Sequence, residues 1–221
     1  MKGLVLKDFL VIAKQKKLAV MYVFVALMLS FSMDSSFIVS YFSLIGSLLV
    51  LTTLSYDSFD NGYPFLMTLP VDAKTYIYAK YCFSFLGLLL FWAFSILLQF
   101  GSLAFRKEPF DVLDTLGMDV AFLPAFLIIV GVMLPISLKF GPEKGRIILI
   151  VIFGLLFTIA IMGKKILETA VKDLHIDFEA IIKKLDAIPQ QVLALSLAGL
   201  GILVFLISMA ISIGIMKKKE Y

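Results

Sequence analysis

Residues that could do chemistry are few in this chain, and they are placed outside its apolar runs. Between Arg106 and Asp119, four carboxylates fall within fourteen residues: Glu108, Asp111, Asp114 and Asp119. Oxygen ligands could hold a hard cation, but these alternate with apolar residues and lack the spacing of a calcium loop, so a solvated acidic face is the commoner use. His175 is the only histidine, which excludes a cluster of imidazole ligands. Cys82 is the only cysteine, so the chain forms no internal disulfide, and the thiol reads as a small apolar residue. There is no G-x-x-x-x-G-K-[ST] phosphate loop and no H-E-x-x-H zinc helix. The chain therefore lacks the usual means to bind ATP or cleave peptides, and no metal site is expected.

The elements that hold these residues are set by composition. Of 221 residues, 61% are apolar and the mean hydropathy is +1.03; soluble domains are about half apolar. About 20 residues of helix cross a hydrocarbon core about 30 Å thick. Six stretches suggest such spans: 18–33, 37–56, 81–105, 120–138, 147–162 and 191–216. The first is short and relies on Lys17 and Asp34 reaching the head groups. It has no small-residue cleavage site after it, so it is read as a mature helix and not as a signal peptide.

With both termini in the cytoplasm, 13 of the 20 basic residues fall on the inner side. Lys and Arg resist translocation, so this bias favours that orientation. The net charge of +4 then reflects topology, and nucleic acid is not needed to account for it. Residues 1–17 place Val5, Leu6, Phe9, Ile12 and Ala13 on one side of a helix, with Lys7 and Lys14 opposite, which suits an amphipathic helix in the inner leaflet. Residues 164–190, outside, gather Leu167, Val171, Leu174, Phe178, Ile181 and Leu185 on one stripe of a second amphipathic helix. Pro124 and Pro135 are candidate kinks in the fourth span. The fold class is an all-α integral membrane protein forming one domain over 1–221.

None of the six spans holds an ionisable residue away from its ends. Proton relays and intramembrane catalysts need such residues despite their cost, so a proton-coupled carrier and an intramembrane protease are both disfavoured. The spans do hold hydroxyls, notably Ser43, Ser47, Thr52 and Thr53 in the second. These could line a translocation path, although small and hydroxyl residues commonly serve as contacts between membrane helices.

The longest inner loop, 57–80, has a specific grammar. Asn61 or Gly62 opens a turn, Pro64 suits a first helical turn, and Pro70 ends what begins there. That leaves a short helix bearing Phe65, Leu66 and Leu69, after which Val71 and Asp72 lead into a second helix. Asp72 is placed to cap it, and it carries Tyr76 and Lys80 into the third span. Phe59, Tyr63, Phe65 and Tyr76 could be interfacial anchors, but anchoring alone does not account for the two-helix punctuation.

The basic amphipathic N-terminus, six spans and an F-L-x-x-L-P-V elbow followed by Y-x-x-A-K-Y resemble the permease subunits of ABC-2 type transporters. The matching residues are Phe65, Leu66, Leu69, Pro70, Val71, Tyr78, Lys80 and Tyr81. The pattern is most similar to the small Gram-positive permeases that export phenol-soluble modulins and antimicrobial peptides. The resemblance implies a bacterial plasma-membrane exporter whose elbow is a coupling helix seated on a separate ABC ATPase subunit. It also implies ATP and Mg held by that partner and none by this chain, a second permease copy, identical or related, and an amphipathic cargo such as a peptide. A membrane anchor or immunity protein that binds a toxic peptide without moving it is the alternative of a different class.

Overall fold

The structure is a computed structural model and describes residues 2–32, 35–59, 62–68, 71–107, 111–145 and 190–218, together with 147–148, 150–152, 154–155 and 157–159. The expected outer helix over 164–190, save Gln190, and parts of the span over 147–162 lie outside the described residues, as do Leu69 and Pro70. Among the described residues the regular structure is entirely helical.

The chain begins with α1 (Lys2–Lys14) and α2 (Lys16–Ser32), separated by Gln15 alone. The helix α3 (Ser35–Ser58) leads into the short α4 (Gly62–Thr68), and α5 (Ala73–Arg106) returns. Then come α6 (Val112–Asp119), α7 (Phe122–Phe140) and, last, α8 (Gln190–Lys218). Four stretches are helical, long and apolar enough to cross a membrane: Phe37–Ser58, Ala73–Arg106, Thr115–Phe140 and Leu195–Lys218. At 1.5 Å per residue, the 17 residues of α2 extend about 26 Å, short of a hydrocarbon core of about 30 Å. The 34 residues of α5 extend about 51 Å, so this helix is long enough to cross and to carry the elbow's second half beyond the bilayer.

The packing follows from small residues and apolar runs. α3 and α5 are antiparallel and approach closely where Gly46 faces Phe91 and Gly87 faces Val50; a Cβ on either glycine would come within 3.0 Å of the facing side chain. Such notches let membrane helices approach closely enough to gain dispersion contacts, which are the main attraction between helices in lipid. α7 and α8 run side by side in the same direction, and Val130, Leu134 and Leu138 join Phe205 and Met216 in the core.

Of the two prolines singled out in this region, Pro124 lies in the first turn of α7, where the backbone N–H has no helical partner to lose. Pro135 lies inside the helix, has no N–H, and so leaves the carbonyl four residues back, on Gly131, without its helical donor. Ser208 of α8 donates its hydroxyl to that carbonyl instead. The break thus becomes a fastening between helices.

Candidate functional site: the elbow and its buried ion-pair mount

The elbow's first helix, α4, opens where the sequence grammar places it. A Cβ on Gly62 would lie 2.6 Å from the carbonyl oxygen of Asp57, so only glycine lets the chain turn back this tightly beneath the end of α3. Thr68 closes the helix by donating to the Phe65 carbonyl at 2.7 Å. Asp72 stands immediately before α5 with extended backbone (φ −74°, ψ 152°), and its carbonyl accepts from the Tyr76 N–H at 3.0 Å. Its side chain, however, makes no capping hydrogen bond, so its role there is carried by the backbone.

The residues expected to act together in the elbow divide into two sets. Phe65 is 67% exposed and Phe59 71% exposed, so two aromatic rings face outward. Tyr63, Leu66 and Tyr76 are buried, and Val71 packs against the same core. The picture of an exposed stripe including Leu66 is therefore refined: α4 presents Phe65 and seats Tyr63 and Leu66 inward. Pro64 is the third residue of α4.

Beneath α4 lies a network of which sequence reasoning had singled out Tyr63, Tyr76 and Lys80 for the elbow and Thr53 for a path, but not Asp8, Asp57 or their pairing with Lys7 and Lys80. The Tyr63 ring meets the Tyr76 ring edge-on at 5.9 Å. Tyr76 donates its hydroxyl to Asp57 Oδ2 at 2.8 Å. Asp57 pairs with Lys80 Nζ at 2.6 Å, and Lys80 pairs with Asp8 of α1 at 2.8 Å. Thr53 Oγ1, at 3.3 Å, accepts from the same ammonium. An ammonium has three N–H donors, and Asp57, Asp8 and Thr53 can take all three. Lys7 closes the ring by pairing with Asp57 and, at 3.3 Å, with Asp8.

Two cations and two carboxylates thus balance in a site where Lys80 and Asp8 are only 2% and 1% exposed. Burial pushes the Asp8 carboxyl above the ordinary carboxylate range, against the opposing pull of Lys80 and Lys7. Such groups persist in a low-dielectric site only when their partners are all present. The network ties α1, α3 and α5 together at the foot of α4, so α4 cannot tilt without straining Tyr63, Tyr76 and the charges behind them.

One signal could have revealed it. Asp8 is the sole acid in the basic N-terminal stretch and stands three and four positions from Val5, Leu4 and Ile12, the residues of α1 that pack on the core. Conversely Leu6, Phe9 and Leu10 are exposed, so the stripe predicted for α1 is divided between core and surroundings.

The hydroxyls predicted to line a path are placed inside the single chain. Ser43, Ser47 and Thr53 are buried and Thr52 is half-buried. Ser47, Thr52 and Thr53 donate to carbonyls three residues back, those of Leu44, Leu49 and Val50, at 2.6–2.8 Å.

Four long apolar helices, two of them joined by a mounted elbow, define a polytopic α-helical membrane protein. The profile of the ABC-2 family transporter protein matches residues 3–217, and the chain belongs to that family. Membership makes it a transmembrane component of an ABC transporter, not itself an enzyme, and implies an ABC ATPase as its general partner. No curated protein and no solved structure matches the chain.

Proposed function

We propose that this chain is the permease half of a bacterial plasma-membrane exporter, with six spans, both termini in the cytoplasm, and α4 as the helix that seats in a cleft of a separate ATPase. That partner holds ATP and Mg and performs the hydrolysis. Two permeases, identical or related, assemble with two ATPases, and an amphipathic peptide is the cargo class, as the resemblance to the modulin and antimicrobial-peptide exporters implies. The observation that carries the reading is the elbow itself: the exposed Phe65 stands on a short helix whose inner face is locked to a buried ion-pair network, and a second exposed ring, Phe59, stands just past the end of α3. A lever needs such a mount, because motion applied at Phe65 then reaches α1, α3 and α5 together.

In this reading Phe59, Phe65 and Leu69 contact the ATPase. Tyr63, Leu66, Val71, Tyr76 and Lys80 transmit its movement, while Pro64, Pro70 and Asp72 shape the elbow. A path involving Ser43, Ser47, Thr52 and Thr53 requires α3 to part from its neighbours during transport, since three of the four are buried at rest.

The test is Phe65→Asp, which alters an exposed side chain and so spares the fold. Gentle purification from native membranes is expected to bring down an ATP-hydrolysing subunit at one per permease with the parent chain. The variant should unfold at the parent's temperature yet lose at least tenfold of the vanadate-sensitive hydrolysis that travels with it. A parent chain that purifies without any ATPase would sink the exporter reading and favour a peptide-binding anchor.

A further inference from the structure

Between α7 and α8, toward the end of the bundle that also carries α4, lies a groove of about 860 Å³. Its walls are apolar and include Val132, Ile136, Val204, Ile207 and Ile211. Val132, Ile207 and Ile211 are each 41–52% exposed, so the groove opens sideways, at the depth where the helices meet lipid. Two cations, Lys139 and Lys218, stand in its lining at the elbow-side end, and no carboxylate is among the described residues that line it. The polar groups in its floor are occupied, since Ser208 donates to the Gly131 carbonyl and meets Tyr81 at 2.6 Å.

We infer that this groove is a binding site for an anionic phospholipid of the leaflet on the elbow side, with an acyl chain along α7 and α8 and the phosphate between Lys139 and Lys218. The volume lies within the range of about 300–1,000 Å³ usual for ligand pockets. Basic residues capping an apolar crevice between membrane helices match the chemistry of an acidic head group above an acyl chain. A second copy of the chain fits less well. Two copies related by an axis along the membrane normal would bring the same surface together. That would set four ammonium groups at one level with no carboxylate among the described lining residues to offset them. The site rests on the membrane-spanning reading and is independent of what the transporter carries.

The experiment is lipid titration of the purified full chain in neutral detergent, followed by native mass spectrometry and thermal unfolding. The probes are phosphatidylglycerol and phosphatidylcholine with identical acyl chains. The parent should retain and be stabilised by phosphatidylglycerol in preference. Both lysines are exposed, so Lys139→Ala/Lys218→Ala should fold normally while binding phosphatidylglycerol about thirtyfold more weakly, with phosphatidylcholine unchanged. Ile211→Trp, which fills the groove, should weaken both lipids. Equal binding of the two lipids by the parent, or an unaltered preference in the double lysine variant, would overturn the site. Efficient intermolecular disulfide formation by Ile211→Cys in a Cys82→Ser background would overturn it in favour of a second copy.

Discussion

Lys80 and Tyr81 are neighbours on α5, and each fastens that helix to a different part of the bundle by a different kind of chemistry. Lys80 binds α1 and α3 through two carboxylates. Tyr81 meets Ser208 and Ser212 of α8 at 2.6 and 2.8 Å, and Ser208 in turn reaches the carbonyl that Pro135 frees on α7. The first junction is charged and mutually dependent; the second is a neutral chain of hydroxyls. A charged junction is costly to break in part and costs little when dismantled in balance, because the penalty comes from a leftover buried charge. A neutral junction loses one modest contact at a time. The charged one is placed under the elbow, where, on the coupling role proposed for α4, an all-or-none response to movement is useful. The neutral one is placed where α5, α7 and α8 must simply stay together.

The largest effect should come from unbalancing the charged side. Lys80→Met leaves Asp8 and Asp57 facing each other with only the half-exposed Lys7 between them, and is expected to cost about 3–5 kcal/mol. Asp8→Leu alone leaves an excess cation and should also destabilise. The double variant retains the balanced Lys7–Asp57 pair, so thermal unfolding in detergent should show it more stable than Lys80→Met. A double variant that merely sums the two losses would show that the charges act independently and would dissolve the contrast with the hydroxyl chain.

Tyr76→Phe probes the same mount without changing its charge. It removes the hydroxyl that donates to Asp57, and a hydrogen bond to a charged group contributes about 1.5–3 kcal/mol. The ring remains to support Tyr63, so the elbow should stay in place, with a smaller drop in unfolding temperature than for Lys80→Met. Gly62→Ala acts on the elbow's geometry: a Cβ 2.6 Å from the Asp57 carbonyl oxygen forces α4 away from its seat, at about 1–3 kcal/mol. It should also weaken coupling to the ATPase, whereas Tyr81→Phe should not. Equal coupling defects in the two would argue that the elbow has no privileged link to the partner.

How far these regions were legible in the sequence differs in the same way. The apolar runs foretold α3, α5, α7 and α8, because a span must be apolar along its whole length whatever it packs against. Gly62 and Pro64 marked the elbow's first helix because turn chemistry is local. The ion-pair mount was legible only in its parts: Lys80 and Tyr76 stood out in the elbow and Asp8 was the lone acid of α1, but nothing in the sequence paired them. Lys80 is 72 positions from Asp8 and 23 from Asp57, and a charge at the end of a span reads from sequence alone as one that reaches for water. The face of α1 was misjudged for a related reason: a helical wheel registers apolar residues but cannot separate those that face protein, such as Leu4 and Ile12, from those that face outward, such as Phe9 and Leu10. The Ser208 bond was half legible, since Pro135 announces a freed carbonyl on Gly131 while its new donor comes from 77 positions away.

The smallest effects belong to the hydroxyl chain, and their order tests its direction. Ser208 has one proton, and it goes to the Gly131 carbonyl. Tyr81 must therefore donate to Ser208, and Ser212 to Tyr81, so the protons run one way from α8 through α5 and back to α8 and α7. Ser208→Ala strands the carbonyl that Pro135 leaves free and makes the Tyr81 proton turn to Ser212. Tyr81→Phe strands only the Ser212 proton, which can turn to the carbonyl four residues back as serines in membrane helices do. Ser212→Ala removes the first donor and strands no proton at all. Losses should therefore fall in the order Ser208→Ala, Tyr81→Phe, Ser212→Ala, all within about 2 kcal/mol given the modest strength of hydrogen bonds between membrane helices. If Ser212→Ala proved the most damaging of the three, the chain would run the other way, and the carbonyl freed by Pro135 would need a different donor.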